Sequence, residues 1–267
     1  MSRFILSFFN FTQTAGGDLS LTIPICNVYA PIIDRAFPRI KHIGWRPTVN
    51  RKCYTYIKQI SDNDRKRLQG FLELLHALWC LTLTPHLRPH FKKELNEAYA
   101  LDFNFKQGIE PLEYTRIGSL EHVAKEQRIS GAIRELAKAL ALTIHRHPTL
   151  ARADLIVGMP PRPSQTFHLA DVLVRRIGVI LGRDVGLSLT KDEIPKLRNL
   201  PLEKKIVALK GAFHLNESVE GKTVLIVDDL YQSGTSAWSL AKFLRKNGAR
   251  EVYCLACVKS WSDTDNV

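Results

Sequence analysis

Two patterns of apolar spacing divide the chain. Over the first sixty residues the apolar runs are short and broken by Gly, Pro and Asn: "SLTIPICNVYAPII", "RAFPRIKHIGWRPTVN" and "KCYTYIKQI". Such runs predict strands and loops. "SDNDRKRLQGFLELLHALWCLTL" then predicts a helix. Ser61 or Asn63 is placed to cap it, and Leu68, Phe71, Leu72, Leu75, Leu78 and Trp79 form its apolar face. "TPHLRPH" breaks it, and His86 and His90 beside its prolines read as surface residues. From Tyr114 the pattern lengthens. "GSLEHVAKEQRISGAIRELAKALALTIHRH" predicts one helical stretch with Ile133, Leu136, Leu140 and Ile144 on one face. "ADLIVGM" is a continuous apolar run, as in a parallel strand buried on both faces. "SQTFHLADVLVRRIGVILG" predicts a helix capped by Ser164, and "DVGLSL" a strand. "TKDEIPKLRNLPLEKKIVALKGAF" reads as a long polar and basic connection. A strand over Val224–Val227, a helix over Ser236–Lys246 stopped by Gly248, and a strand over Val252–Val258 complete the series.

Strands alternating with helices predict a doubly wound parallel α/β sheet over residues 112–267, preceded by an α+β region, 1–111, that could serve as a hood or a partner-binding surface. The length, 267 residues with 45% hydrophobic side chains, suits one large or two small domains. Neither a signal peptide nor a membrane span is expected: Glu73 and His76 interrupt the most apolar stretch. The five cysteines are spread widely. Cys254 and Cys257 form a CxxC, but inside a predicted strand, so a buried structural pair is expected in place of a metal or redox centre. These features predict a soluble protein of the reducing cytoplasm.

Charge adds a constraint on partners. The net charge is +12, with 16 basic against 10 acidic residues before position 121 and 22 against 16 from that position onward. An even excess favours polyanions, either phosphorylated small molecules or nucleic acid. Arg46, Arg51 and Lys52, with Arg65, Lys66 and Arg67, are the candidate nucleic-acid clusters; a solvated basic surface is the plainer reading.

The most informative stretch is "VLIVDDLYQSGTS", Val224–Ser236. Ligands of open parallel sheets bind beyond the carboxyl ends of the strands, where Asp228 and Asp229 stand. In the turn that follows, Gly234 admits close backbone approach, and Ser233, Thr235 and Ser236 offer hydroxyl donors. The next helix directs free N–H groups at the same place. This is a phosphate cradle without a Walker lysine, so it suits a monophosphate. The neighbouring carboxylates can accept hydrogen bonds from hydroxyls. A phosphate with vicinal hydroxyls nearby is a ribose 5-phosphate.

These thirteen residues resemble the phosphoribosyl diphosphate (PRPP) signature of type I phosphoribosyltransferases. "ADLIVGMPPRPS" resembles the pyrophosphate loop of that family. The order of segments is nearest to the competence-type (ComF-like) subfamily, whose lead-in and basic segment look like "PLEYTRIGSLEHVAK" and "PLEKKIVALKGAF". The resemblance covers about 150 residues. It departs from the subfamily in lacking the N-terminal zinc ribbon, in Gln232 where Thr is usual, in Lys205 for Arg, and in Ala208 for Asn.

The resemblance implies displacement at ribose C1 with pyrophosphate leaving. Asp228 and Asp229 would hold the ribose hydroxyls, directly or through Mg²⁺-bound water, with no direct protein ligand set for the metal. Gln232, Ser233, Gly234, Thr235 and Ser236 would hold the 5-phosphate. Met159, Pro160, Pro161 and Arg162 would face the pyrophosphate. Lys204 and Lys205, with Lys191, Lys196 and Arg198, are the candidates on a mobile lid. Tyr29, Trp45, Tyr54 and Tyr56 are candidate stacking groups for an unnamed acceptor. The expected partners are PRPP and that acceptor, in a homo-oligomer or larger complex, with nucleic acid or a partner protein as a further possibility. Two rival functions stand beside transfer: a PRPP- or nucleotide-sensing regulator, and an effector of a defence or toxin module.

Overall fold

In the computed structural model the chain divides into two compact units, Met1–Pro85 and His86–Val267. The structure describes residues 10–13, 19–24, 45–47, 53–58, 65–71, 80–83, 89–106, 113–183, 185–186, 189–195, 197, 200–215 and 217–260.

In the first unit, β1 (Asn10–Gln13), β2 (Leu19–Pro24), β3 (Trp45–Pro47) and β4 (Cys53–Lys58) form an antiparallel sheet in the order β1–β2–β4–β3. The short apolar runs therefore do form strands. Trp45 and Tyr56 are register partners across β3 and β4, and Tyr54 faces Pro47 in the same ladder. Tyr29, Arg51, Lys52, His86 and both candidate helix caps lie outside the described residues. Residues 65–71 are helical, with Leu68 fully buried and Lys66 and Arg67 exposed. The helix does not extend through the whole expected segment, because Leu81–Thr82 is a strand, β5. Its closing "LTL" is a β-compatible apolar run, and period alone cannot separate that from a helical turn.

In the second unit, apolar runs without polar alternation become strands covered on both faces. β10 (Thr223–Tyr231) and β11 (Glu251–Lys259) are parallel neighbours, flanked by β7 (Leu155–Gly158) and β6 (Glu97–Phe103), in the order β6–β11–β10–β7 with every pairing parallel. This is the expected α/β class with a parallel sheet. Val224–Val227 and Val252–Val258 are essentially inaccessible. The sheet takes β6 from a stretch N-terminal to the expected core boundary at 112.

Helices α1 (Arg116–Glu126) and α2 (Ser130–Arg146) replace the single helix read from the sequence. Arg128 breaks it, with φ 55°, in the left-handed region that interrupts the helical ladder. The predicted face of α2 holds: Ile133, Leu136, Leu140 and Ile144 are all buried. At the start of α1, Thr115 accepts the Gly118 N–H at 2.9 Å as the cap. Gly118 lies so close to the Asn104 carbonyl that a Cβ there would overlap it, so only glycine lets α1 dock on the chain leaving β6.

Helix α3 (Leu169–Leu181) starts five residues later than Ser164, and that serine does not cap it. The Ser164 hydroxyl and N–H both donate to Glu193, at 3.0 Å each. Residues 159–168 are thereby left as a loop. The polar connection is also more ordered than expected. It holds the hairpin β8 (Leu189–Lys191) with β9 (Phe213–Leu215), and between them α4 (Leu202–Leu209). Only Val185, in an isolated bridge to Ile156, and Leu189 represent the predicted "DVGLSL" strand among the described residues. Helix α5 (Thr235–Lys246) ends ahead of Gly248, as the sequence indicates. Cys254 and Cys257 are buried and free, and burial raises both thiol pKa values well above the usual range.

Candidate functional site

Strand lengths create the site. β7 ends at Gly158, the register partner of Val227, while β10 continues to Tyr231 against β11 alone. The carboxyl end of β10 thus projects past one neighbour and carries Asp228 and Asp229 out of the apolar sheet. Residues adjacent on a strand point to opposite faces. Asp229 meets Lys125 from the last turn of α1, Nζ to Oδ2 2.8 Å. Asp228 makes no ion pair among the described residues; its Oδ1 accepts the Asp229 N–H at 2.9 Å.

The electrostatics of this pair are asymmetric. Burial and the Asp229 charge push the Asp228 carboxyl well above the ordinary aspartate range. Burial also works against Asp229, but the Lys125 ammonium outweighs it and holds that carboxyl below its usual value. Burial likewise opposes the Lys125 charge, and the Asp229 and Glu121 carboxylates more than offset this, so its pKa is raised. Lys125 Nζ lies 3.5 Å from Glu121 Oε1, a buried oxygen with no hydrogen-bond partner.

Burial pushes Glu121 up to about 7 despite Lys125. The folded protein therefore binds a proton that the unfolded chain releases near pH 4.5. A raised carboxyl pKa adds stability that is complete below the unfolded value and is lost as pH rises through the folded one. Glu121→Gln should abolish that dependence. Urea unfolding from pH 4.5 to 7.5 is expected to show the variant gaining on the parent protein by about 1–3 kcal/mol, the size of a desolvation penalty for a buried polar group. Parallel stability curves would show that Glu121 does not titrate in this window.

After β10 the chain turns through Gln232–Gly234 into α5. Gly234 has φ 76°, and a Cβ on it would overlap the Tyr231 ring, so this turn needs glycine for both backbone and space. The Ser233 and Thr235 hydroxyls lie 2.9 Å apart, and no side chain caps the first N–H groups of α5 at Gly234. A cavity of about 210 Å³ brings together Asp228, Asp229, the whole Gln232–Ser236 turn, Met159, Lys125 and Lys205. A second cavity, about 340 Å³, shares Lys125 and Asp229 with the first and adds Arg162 and Arg128. Arg128 lies over the Phe167 ring, 5.1 Å from its centroid.

Of the sequence-derived candidates, Asp228, Asp229, Gln232–Ser236, Met159 and Lys205 converge on the first cavity, and Arg162 lines the second. Pro161 lines neither; it lies on a third cavity, and Pro160 is buried. Lys205 is 2% exposed, whereas Lys204, one turn position away, is exposed and does not line the cavity. Lys191 is half-buried, and burial lowers its pKa against the pull of Asp228. Lys196 and Arg198 lie outside the described residues. Sequence reasoning missed Glu121, Lys125 and Arg128. The visible signal was the Glu121–Lys125 spacing of four, which puts both on one helix face just ahead of the sheet.

Among the described residues no group of three or more His, Cys, Asp or Glu could hold a metal, and no helix is long and apolar enough to cross a membrane. The fold and this end of β10 define a parallel α/β protein with a glycine turn and a helix N-terminus beside an acidic pair. A family model for the phosphoribosyl transferase domain matches residues 120–267, more than half the chain. The chain belongs to this phosphoribosyltransferase family. No curated protein sequence matches it. Among solved structures, a hypoxanthine phosphoribosyltransferase from Staphylococcus aureus is similar at 16% identity and TM-score 0.31, over 48% of this chain and 62% of that one. A purine phosphoribosyltransferase from Pyrococcus horikoshii Ot3 is similar at 17% identity and TM-score 0.34, over 49% and 76%. An adenine phosphoribosyltransferase from Leishmania tarentolae is similar at 12% identity and TM-score 0.34, over 54% and 78%.

Proposed function

We propose that the protein binds PRPP and transfers or hydrolyses its ribose 5-phosphate group at C1, releasing pyrophosphate, with a ComF-like arrangement of segments around the site. The observation that carries this reading is the single cavity holding the acidic pair and the whole Gln232–Ser236 turn. In it the turn and the α5 N–H groups take the 5-phosphate, and Asp228 and Asp229 orient the ribose hydroxyls. Met159 and Arg162 line the side from which pyrophosphate departs. Lys205, buried at the first cavity, is better placed than Lys204 to meet the charge that develops on the leaving group.

Mg²⁺ fits these residues. The Asp228 carboxylate, unpaired among the described residues and destabilised by its neighbour, suits a hard cation that keeps its waters and takes few protein ligands. When bound, such an ion neutralises phosphate charge. The region 1–111 is proposed as a hood or partner-binding surface and 112–267 as the catalytic core. The cytoplasm is the proposed compartment; the three described cysteines, all buried and free, agree with it.

A second reading, a PRPP-sensing regulator, draws on the Lys125–Asp229 ion pair, which already occupies one carboxylate. The test is direct. PRPP with Mg²⁺ at a hundredfold excess over its dissociation constant should stabilise the protein by about 2.7 kcal/mol, and a pyrophosphate-release assay separates the two readings. Stabilisation without release indicates the sensor. No stabilisation at millimolar PRPP ends both.

A further inference from the structure

A second feature of the His86–Val267 unit is a cavity of about 850 Å³ away from the acidic pair. It is a groove between α2 and α3, floored by the loop that precedes α3. Its walls combine two chemistries. Val172, Val179 and Ile180 of α3 are its apolar part, with Val179 85% exposed and Ile180 49% exposed. Arg134, Lys138, Arg175 and Arg176 give four cations, against the single carboxylate of Asp171. Arg134 and Lys138 are partly neutralised by Glu135, at 3.9 and 3.2 Å. Arg175 and Arg176 have no ion pair or hydrogen bond among the described residues. At the floor, the His168 Nδ1 is buried without a hydrogen-bond partner, 3.4 Å from Asp171 Oδ2.

Two guanidiniums with no ion pair among the described residues thus stand beside exposed aliphatic side chains on one helix. Arginine is the side chain best matched to phosphate, through its planar fork of donors. A groove of several hundred Å³ with an apolar wall and a few convergent polar groups is the usual form of a small-molecule site. The ligand that satisfies both chemistries, interleaved along α3, is an anion with a flat apolar body.

We propose that this groove is a second ligand site, for a nucleoside di- or triphosphate, with the base against Val172, Val179 and Ile180 and the phosphates on Arg175 and Arg176. The site is coupled to the PRPP cavity through one loop. Gln165, Thr166 and Phe167 line both this groove and the cavity that holds Arg162 and Asp229. A ligand that fixes those residues in the groove also fixes the wall beside Arg162. This coupling rests on the PRPP reading given above; binding in the groove does not.

Titration calorimetry on the full chain with ADP and ATP tests the site, with adenosine and inorganic tripolyphosphate as separate arms. ADP and ATP should bind with similar affinity in the parent protein and in Asp228→Asn/Asp229→Asn, which places them outside the acidic pair. Arg175→Glu/Arg176→Glu should weaken that binding at least about 100-fold, roughly the effect of breaking two charge-assisted contacts. Val179→Asp, on an 85% exposed side chain, is a second variant that leaves the core untouched and should also weaken it. Saturating ATP should then tighten PRPP binding by about fivefold or more, and PRPP should tighten ATP binding equally. Adenosine binding as well as ATP, or tripolyphosphate binding as well as ATP, would overturn the nucleotide assignment. So would nucleotide binding that is unchanged in the arginine variant. A concentration-dependent dimer that is lost in that variant, with no nucleotide bound, would instead make the groove an interface between copies. Nucleotide binding that leaves PRPP affinity unchanged would overturn the coupling while the site itself stands.

Discussion

Asp228→Asn and Asp229→Asn are expected to abolish PRPP binding alike, yet to change the stability of the ligand-free protein in opposite directions. In the pair, Asp228 carries the unfavourable charge, since burial and the neighbouring carboxylate both resist its ionisation. Asp228→Asn removes that cost and keeps the shape, so its melting temperature without ligand should rise at pH 8. Asp229 is the partner of Lys125 at 2.8 Å. Its loss takes from a half-buried ammonium its 2.8 Å partner, leaving Glu121 and the more distant Asp228, and should cost about 2 kcal/mol, the value of a hydrogen bond to a charged group. In both variants the PRPP-dependent stabilisation, about 2.7 kcal/mol at a hundredfold excess for the parent, should disappear. Equal stability losses in the two variants would show that the asymmetry has been misassigned. A retained PRPP shift in the double variant would remove the acidic pair from the site.

Gly234→Val should produce the largest loss of any single change in the cradle. The backbone at Gly234 has φ 76°, which costs a branched residue about 1–2 kcal/mol. The new Cβ also overlaps the buried Tyr231 ring, and overpacking adds about 1–3 kcal/mol. The expected total, about 3 kcal/mol, should appear as a lower urea midpoint with an unchanged slope. Because the same turn presents Ser233 and Thr235, PRPP affinity should fall beyond what the stability loss explains. A variant that melts early but binds PRPP normally would place the phosphate elsewhere.

The apolar-run-then-acid signature of β10 was legible because burial on both faces forces an unbroken apolar segment, and the first polar residues mark where the sheet ends. Gly234 and the start of α5 were legible for the same kind of local reason. β6 was not. "EAYALDF" is rich in Ala, whose intrinsic preference is helical, and only its place beside β11 makes it a strand. The break at Arg128 was also hidden. Nothing in "KEQRIS" stops a helix, whereas the folded chain holds the Arg128 guanidinium over Phe167, almost forty positions away. Lys125 joined the site only through the docking of α1 at the end of β10, a tertiary fact. The lysines of α4 show the limit most plainly: adjacent, chemically identical positions differ between full burial at Lys205 and exposure at Lys204.

The order β6–β11–β10–β7 also sets how the chain assembles as it is synthesised. β11 lies in the interior of the sheet, yet the ribosome makes it after every other strand of this unit. Until it emerges, β6 and β10 have no mutual partner and each offers an open edge. β6 waits through about 150 residues of synthesis for its ladder with β11, and a closure of that length is both slow and entropically costly. The strand that carries the acidic pair gains its ladder no earlier, since beyond Val227 β10 pairs with β11 and no longer with β7. A nascent chain stalled before residue 251 would therefore carry the whole signature of the site in its sequence without the strand ladder that supports it.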